Sequence, residues 1–132
     1  MSNENEDLIR RAYEAYSQGD VSAMMRFVDP HLQWTYLDSS AVDPDPQVCH
    51  GRDELEAALA RRADQGLRSE LEEVLSIGSR VMVVVRTPGV EAFRVGKAGD
   101  RNYSVFTIKD GRIVALRDCR DRAEALALAS VE

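Results

Sequence analysis

The chain has 132 residues, of which 44% are hydrophobic and 30% charged, and it carries a net charge of −6. That balance belongs to an ordinary folded domain, and this length predicts one domain over residues 1–132. An acidic chain gains no counterion release from a polyanion, so nucleic acid and an anionic membrane surface are both disfavoured as partners.

Along the chain, Glu6 to Gln18 reads as a helix, with Leu8, Ile9, Ala12, Tyr13, Ala15 and Tyr16 on one broad face. Gly19 stops it, and Asp20 caps a short second helix whose Val21, Met24, Met25 and Val28 face inward until Asp29-Pro30. His31 to Asp38 alternates as a strand, with Leu32, Trp34, Tyr36 and Asp38 on one side. A long loop is predicted from Ser39 to His50, on the strength of Asp43-Pro44-Asp45-Pro46. Gly51-Arg52-Asp53 opens a third helix that Gly66 closes.

Strands dominate the remainder. They are predicted at Leu67 to Ile77, Arg80 to Thr87, Val90 to Val95, Asn102 to Ile108 and Arg112 to Arg120. Asp110-Gly111 is the strongest hairpin signal. Asp121-Arg122-Ala123-Glu124 is a capping box that starts a last helix, ending near Ser130. Strands segregated from helices predict an α+β fold built on an antiparallel sheet. Val81, Val83 and Val85 oppose Met82 and Val84, so that strand is apolar on both faces. Helices cover one face, and the expectation for the other is a second subunit, giving a homodimer packed sheet to sheet. Cys49 and Cys119 have no CxxC partner and read as two reduced thiols. No apolar run approaches the roughly 20 residues that span a bilayer. The polar start, Met1 to Asp7, lacks the pattern of a secretory signal, so the expected location is cytoplasmic.

The order of these elements resembles the nuclear-transport-factor-2-like superfamily, in its SnoaL-like branch. The resemblance rests on Leu8-Ile9-Arg10-Arg11-Ala12-Tyr13 followed by Gly19-Asp20, on Gly51-Arg52-Asp53-Glu54-Leu55, and on Asp110-Gly111-Arg112-Ile113-Val114. It ends with Arg117-Asp118-Cys119-Arg120-Asp121, which is similar to the family's Arg-Asp-Tyr-Phe-Asp. It implies a cone-shaped, curved sheet wrapped on helices, a cystatin-like α+β barrel, with a ligand pocket at its open end.

Asp118 is the foremost candidate site residue. Alternation puts it on one face with Val114 and Leu116. In the limonene-epoxide-hydrolase-like and polyketide-cyclase-like members, the matching aspartate acts as a base. A carboxylate among apolar groups is poorly solvated, which favours its taking up a proton. The competing reading is a structural ion pair with Arg86, Arg117 or Arg120. Arg86 corresponds to the arginine of the hydrolases' Arg-x-Asp, but Pro88 stands where their proton donor would be. Tyr36 and Asp38 match the hydrolases' water-holding Tyr-x-Asn, and Asp38 falls close to the general base of the ketosteroid isomerases. Capping of the following loop is the alternative role for Asp38. The isomerases add a helix tyrosine and a strand acid; here Tyr13 lies one residue off that register, and Ser104 stands near the place of the acid. Trp34, Tyr16, Met24, Phe106 and Tyr13 are the expected core and pocket wall.

No sequence feature calls for a cofactor: there is no GxGxxG, no GxxxxGK[ST] and no metal-ligand spacing. The expected partner is a small apolar molecule. Three functions remain open: cofactor-independent acid–base chemistry on a cyclic substrate, binding without turnover, and a dimerisation module with a filled interior.

Overall fold

The computed structural model describes residues 4–36, 47–64, 70–86, 101–119 and 121–130. In chain order these form α1 (Glu4–Ser17), α2 (Val21–Met25), β1 (Val28–Tyr36), β2 (Gln47–His50) and α3 (Arg52–Asp64). Then come β3 (Glu70–Ile77), β4 (Arg80–Arg86), β5 (Arg101–Lys109), β6 (Arg112–Cys119) and α4 (Arg122–Ala129). The expected strand at Val90 to Val95 lies outside the described residues.

The local signals act as chemistry requires. After α1, Gly19 takes φ 82°, a left-handed conformation that costs little without a Cβ. Its N–H donates to the Tyr16 carbonyl at 2.9 Å, and that of Asp20 to the Ala15 carbonyl at 3.0 Å. The Asp20 carboxylate accepts from the Ala23 N–H at 3.0 Å, and the Asp121 carboxylate from the Glu124 N–H at 2.8 Å, so both predicted caps form. Between β5 and β6, Asp110 (φ 53°) and Gly111 (φ 76°) both have positive φ, as a twisted two-residue hairpin turn demands.

The strands form one sheet in the order β2-β1-β6-β5-β4-β3. It is α+β, curved and unclosed. Four of its five pairings are antiparallel, as expected, but β1 runs parallel to β6. The chain reaches β6 only after the β3–β4–β5 meander, so β1 and β6 are neighbours in space and distant in sequence. The β1–β6 register shifts between Val28 and Gln33, a stretch that contains Pro30, which has no N–H to give a ladder. β2 is a correction to the predicted loop. Its four residues pair with Gln33 to Tyr36 at the sheet edge, too short a segment for alternation to be read.

Helices α1 and α3 pack on β3 and β1, with α2 between them. This inner layer buries Ile9, Ala12, Tyr16, Met24, Leu32, Val81, Val83, Val85 and Phe106, among others. The opposite face of the central strands is the second correction. α4 packs across β4, β5 and β6, burying Met82, Val84, Val105 and Cys119 against Ala125 and Ala129. The double-sided apolarity of β4 is therefore satisfied within one chain and does not itself require a second subunit. α4 is fastened at both ends. Arg122 makes two hydrogen bonds to Glu73, at 2.9 and 2.6 Å, and Arg80 donates to the Leu128 carbonyl at 2.8 Å.

Candidate functional site

Strand register decides which candidates meet. On β5, Phe106 belongs to the inner core, and two residues along the same face stands Ser104. Ser104 is opposite Val83 of β4 on one side and Asp118 of β6 on the other. Its hydroxyl donates to Asp118 Oδ1 at 3.3 Å, which puts both side chains on one face. Phe106 is opposite Val81 and Leu116, and Leu116 is opposite Trp34 of β1. Asp118 is thus a half-buried carboxylate on the inner face, in the row next to that of Trp34, Leu116, Phe106 and Val81. It shares a face with Leu116 as expected.

Val114 departs from the expected alternation. The β5–β6 register shifts between Thr107 and Ile108, so Thr107 faces Ala115 while Ile108 faces Ile113, and Val114 is the extra residue of a β-bulge. The bulge lets Ile113 and Leu116, three residues apart, both serve the inner core.

Tyr13 of α1 meets Phe106 edge to face, with ring centroids 6.1 Å apart and planes at 71°. Tyr16, Met24 and Trp34 are buried in the same core, at 3%, 4% and 9% exposure. All five expected wall residues, Trp34, Tyr16, Met24, Phe106 and Tyr13, therefore belong to one continuous inner layer.

Strand geometry separates two of the candidate arginines, Arg86 and Arg117, from Asp118. Arg86 alternates with Met82 and Val84, whose side chains face α4, and it is exposed at the end of β4. Its cross-strand partners are Arg101 and Glu70, whereas Asp118 sits level with Val83 two strands away. Alternation sets Arg86 on the opposite face, roughly 10 Å across the strands from Asp118. Arg117 is exposed and opposite Val105, again on the α4 side. Alternation thus places Arg86 and Arg117 on the face opposite Asp118. Ser104 is a hydrogen-bond partner of the carboxylate. Tyr36 is the last residue of β1, opposite Gln47. Asp38 and Arg120 lie outside the described residues.

Cys119, next to Asp118, points to the other face. Burial, then the nearby Glu124 carboxylate, push its thiol up to about 12, so it is a packing residue and not a nucleophile. His50, exposed in β2, stands opposite Gln33. Among the described residues no group of His, Cys, Asp or Glu side chains is placed to hold a metal ion. No helix among them is long and apolar enough to cross a membrane.

The SnoaL-like domain model matches residues 9–116, most of the chain. The chain belongs to the SnoaL-like domain family. No curated protein sequence matches it. Among solved structures it is similar to Bal32a from a soil-derived mobile gene cassette, at 26% identity over 88% of each chain, with a TM-score of 0.70. A nuclear-transport-factor-2-like protein of unknown function from Burkholderia pseudomallei aligns over 98% of this chain and 100% of its own, at 24% identity and a TM-score of 0.66. TerC, crystallised with polyporic acid, aligns over 98% and 100% at 16% identity, with a TM-score of 0.65. These likenesses carry the fold expected from the sequence, and they say nothing of this family member's own chemistry.

Proposed function

We propose that the chain, as one domain, encloses a small, cyclic, largely apolar molecule against the inner sheet face, and that Asp118 is the proton acceptor there. The observation that carries this reading is a half-buried carboxylate on the same face as Leu116, Phe106 and Trp34. Apolar and aromatic groups orient a flat ligand, and a single polar group among them fixes its register. A carboxylate in such surroundings is suited to accept a proton from an acidified C–H or from water. Tyr36 and Asp38, at and just beyond the end of β1, complete the proposed constellation. The co-crystallisation of TerC, which has the same fold, with polyporic acid supports a cyclic ligand class. Binding without turnover is the second reading. The placement of Arg86 on the opposite face favours it, because no hydrolase-type arginine on that strand then orients Asp118.

The test is a thermal-shift screen of cyclic apolar compounds, polyporic acid among them, on wild type and Asp118→Asn. Preferential binding to the native state raises the melting temperature by mass action. A compound that stabilises wild type and stabilises the variant less supports the reading, and its turnover decides between catalysis and binding. Equal stabilisation of both proteins removes Asp118 from the site.

The reading includes a homodimer. α4 covers the outer face of β4, β5 and the end of β6, while β1 and β2 carry Gln33, Val48 and His50 exposed beyond it. That uncovered area is the surface proposed to meet a second copy. A monomer mass by light scattering at micromolar concentration overturns this part alone.

A further inference from the structure

Ser104 is a buried polar side chain, at 6% exposure, on a strand whose other inward residues are Asn102, Phe106 and Ile108. A buried hydroxyl is costly unless it is bonded. Its neighbour on β4, Val83, offers the side chain nothing polar, and its neighbour on β6 is Asp118. The hydroxyl donates to Asp118 Oδ1 at 3.3 Å. Both residues sit in a central pair of strands whose ladders continue on either side, so the backbone fixes where donor and acceptor stand. Tyr13 packs edge-on against Phe106 one step along the same face, closing that face with an aromatic ring.

We infer that Ser104 is the positioning residue of Asp118: its hydroxyl holds one carboxylate oxygen and so fixes the plane in which the carboxylate meets a ligand. This rests on the role proposed for Asp118. Donation to the charged form also favours that form, so the hydroxyl restrains the basicity of Asp118 while it aims the carboxylate. The bulge beyond Thr107 makes the pairing possible. A regular hairpin counted out from Asp110-Gly111 would set Ser104 opposite Arg117, and one extra residue in β6 brings Asp118 there instead.

The experiment is an NMR titration of the Asp118 side-chain carboxyl in ligand-free protein, its signal assigned by its loss in Asp118→Asn. Wild type is compared with Ser104→Ala, which deletes the donor, and Ser104→Thr, which keeps it on a strand-compatible side chain. Ser104→Cys, a weak donor of similar shape, stands in if the alanine variant does not fold. The expected result is a carboxyl pKa raised by about one unit in Ser104→Ala, and by less in Ser104→Cys, with Ser104→Thr at the wild-type value. Identical titrations in wild type, Ala and Cys variants overturn the inference. So does an equal displacement in the Thr variant, which would trace the effect to packing and not to the hydroxyl. Because no ligand is present, a failed compound screen leaves this result readable. A shift seen here alongside unchanged ligand binding in Asp118→Asn would sink the proposed function only.

Discussion

The two faces of the central strands differ in size and chemistry. The outer cluster of Met82, Val84, Val105, Cys119, Ala125 and Ala129 is small and apolar, and α4 closes it with polar fastenings at both ends. The inner layer is larger, holds Tyr13, Tyr16, Trp34 and Phe106, and carries a hydroxyl–carboxylate pair on its sheet wall. A stable core has no use for a carboxylate there, because the group must be desolvated and bonded to remain. The hydroxyl–carboxylate pair marks the face on which the ligand site is proposed.

That contrast breaks most visibly if α4 is removed. Deletion of residues 121–132 uncovers Met82, Val84, Val105 and Cys119, and the expected outcome is aggregation or loss of cooperative melting. A monomeric fragment with a sharp transition would mean that the outer cluster is dispensable. Thiol labelling gives the next largest effect. With Cys119 pushed up to about 12, roughly one thiol in ten thousand is ionised at pH 8. In Cys49→Ser protein, labelling by an aromatic disulfide should be slower by orders of magnitude in the native state than in denaturant. Fast native labelling would show that α4 opens readily.

Two core truncations sharpen the comparison. Met82→Ala and Phe106→Ala should each destabilise by several kcal/mol, about 2–5 and about 3–5, measured by urea unfolding. Only Phe106→Ala should also weaken ligand-induced stabilisation. Equal loss of binding in both would dissolve the division between the faces.

The smallest effect belongs to Glu73 and Arg122, an ion pair with both side chains well exposed. The hydrogen bond from Arg122 holds the Glu73 carboxyl below its ordinary 4.5. A depressed carboxyl contributes stability above its unfolded value and loses it as pH falls through the folded one. Glu73→Gln should therefore lower the melting temperature slightly at pH 7. The difference should fade below about pH 4.5. A difference that persists in acid would assign the effect to something other than the pair's charge.

Much of the architecture is written in short-range chemistry. Gly19 with Asp20, Asp110-Gly111 and Asp121 with Glu124 each act within a few residues, and each works as its residue types require. The family resemblance rests on the same punctuation and on the apolar periodicity between its marks. The aromatic core residues were legible too, since Tyr13, Tyr16, Trp34 and Phe106 repeat at helix or strand spacing. β2 was not, because four edge residues carry no readable period and take their conformation from β1.

The sequence by itself determined the helices and most strands, the α+β class and the apolar inner layer, because hydrophobic spacing and turn residues act locally. Tertiary structure decided the partners. Whether the second face of β4 meets α4 or another chain depends on where a helix docks, and periodicity cannot carry that. Whether Asp118 or Arg117 stands opposite Ser104 depends on register. A single bulged residue in β6 moves every cross-strand neighbour beyond it by one, and only the folded sheet records that displacement.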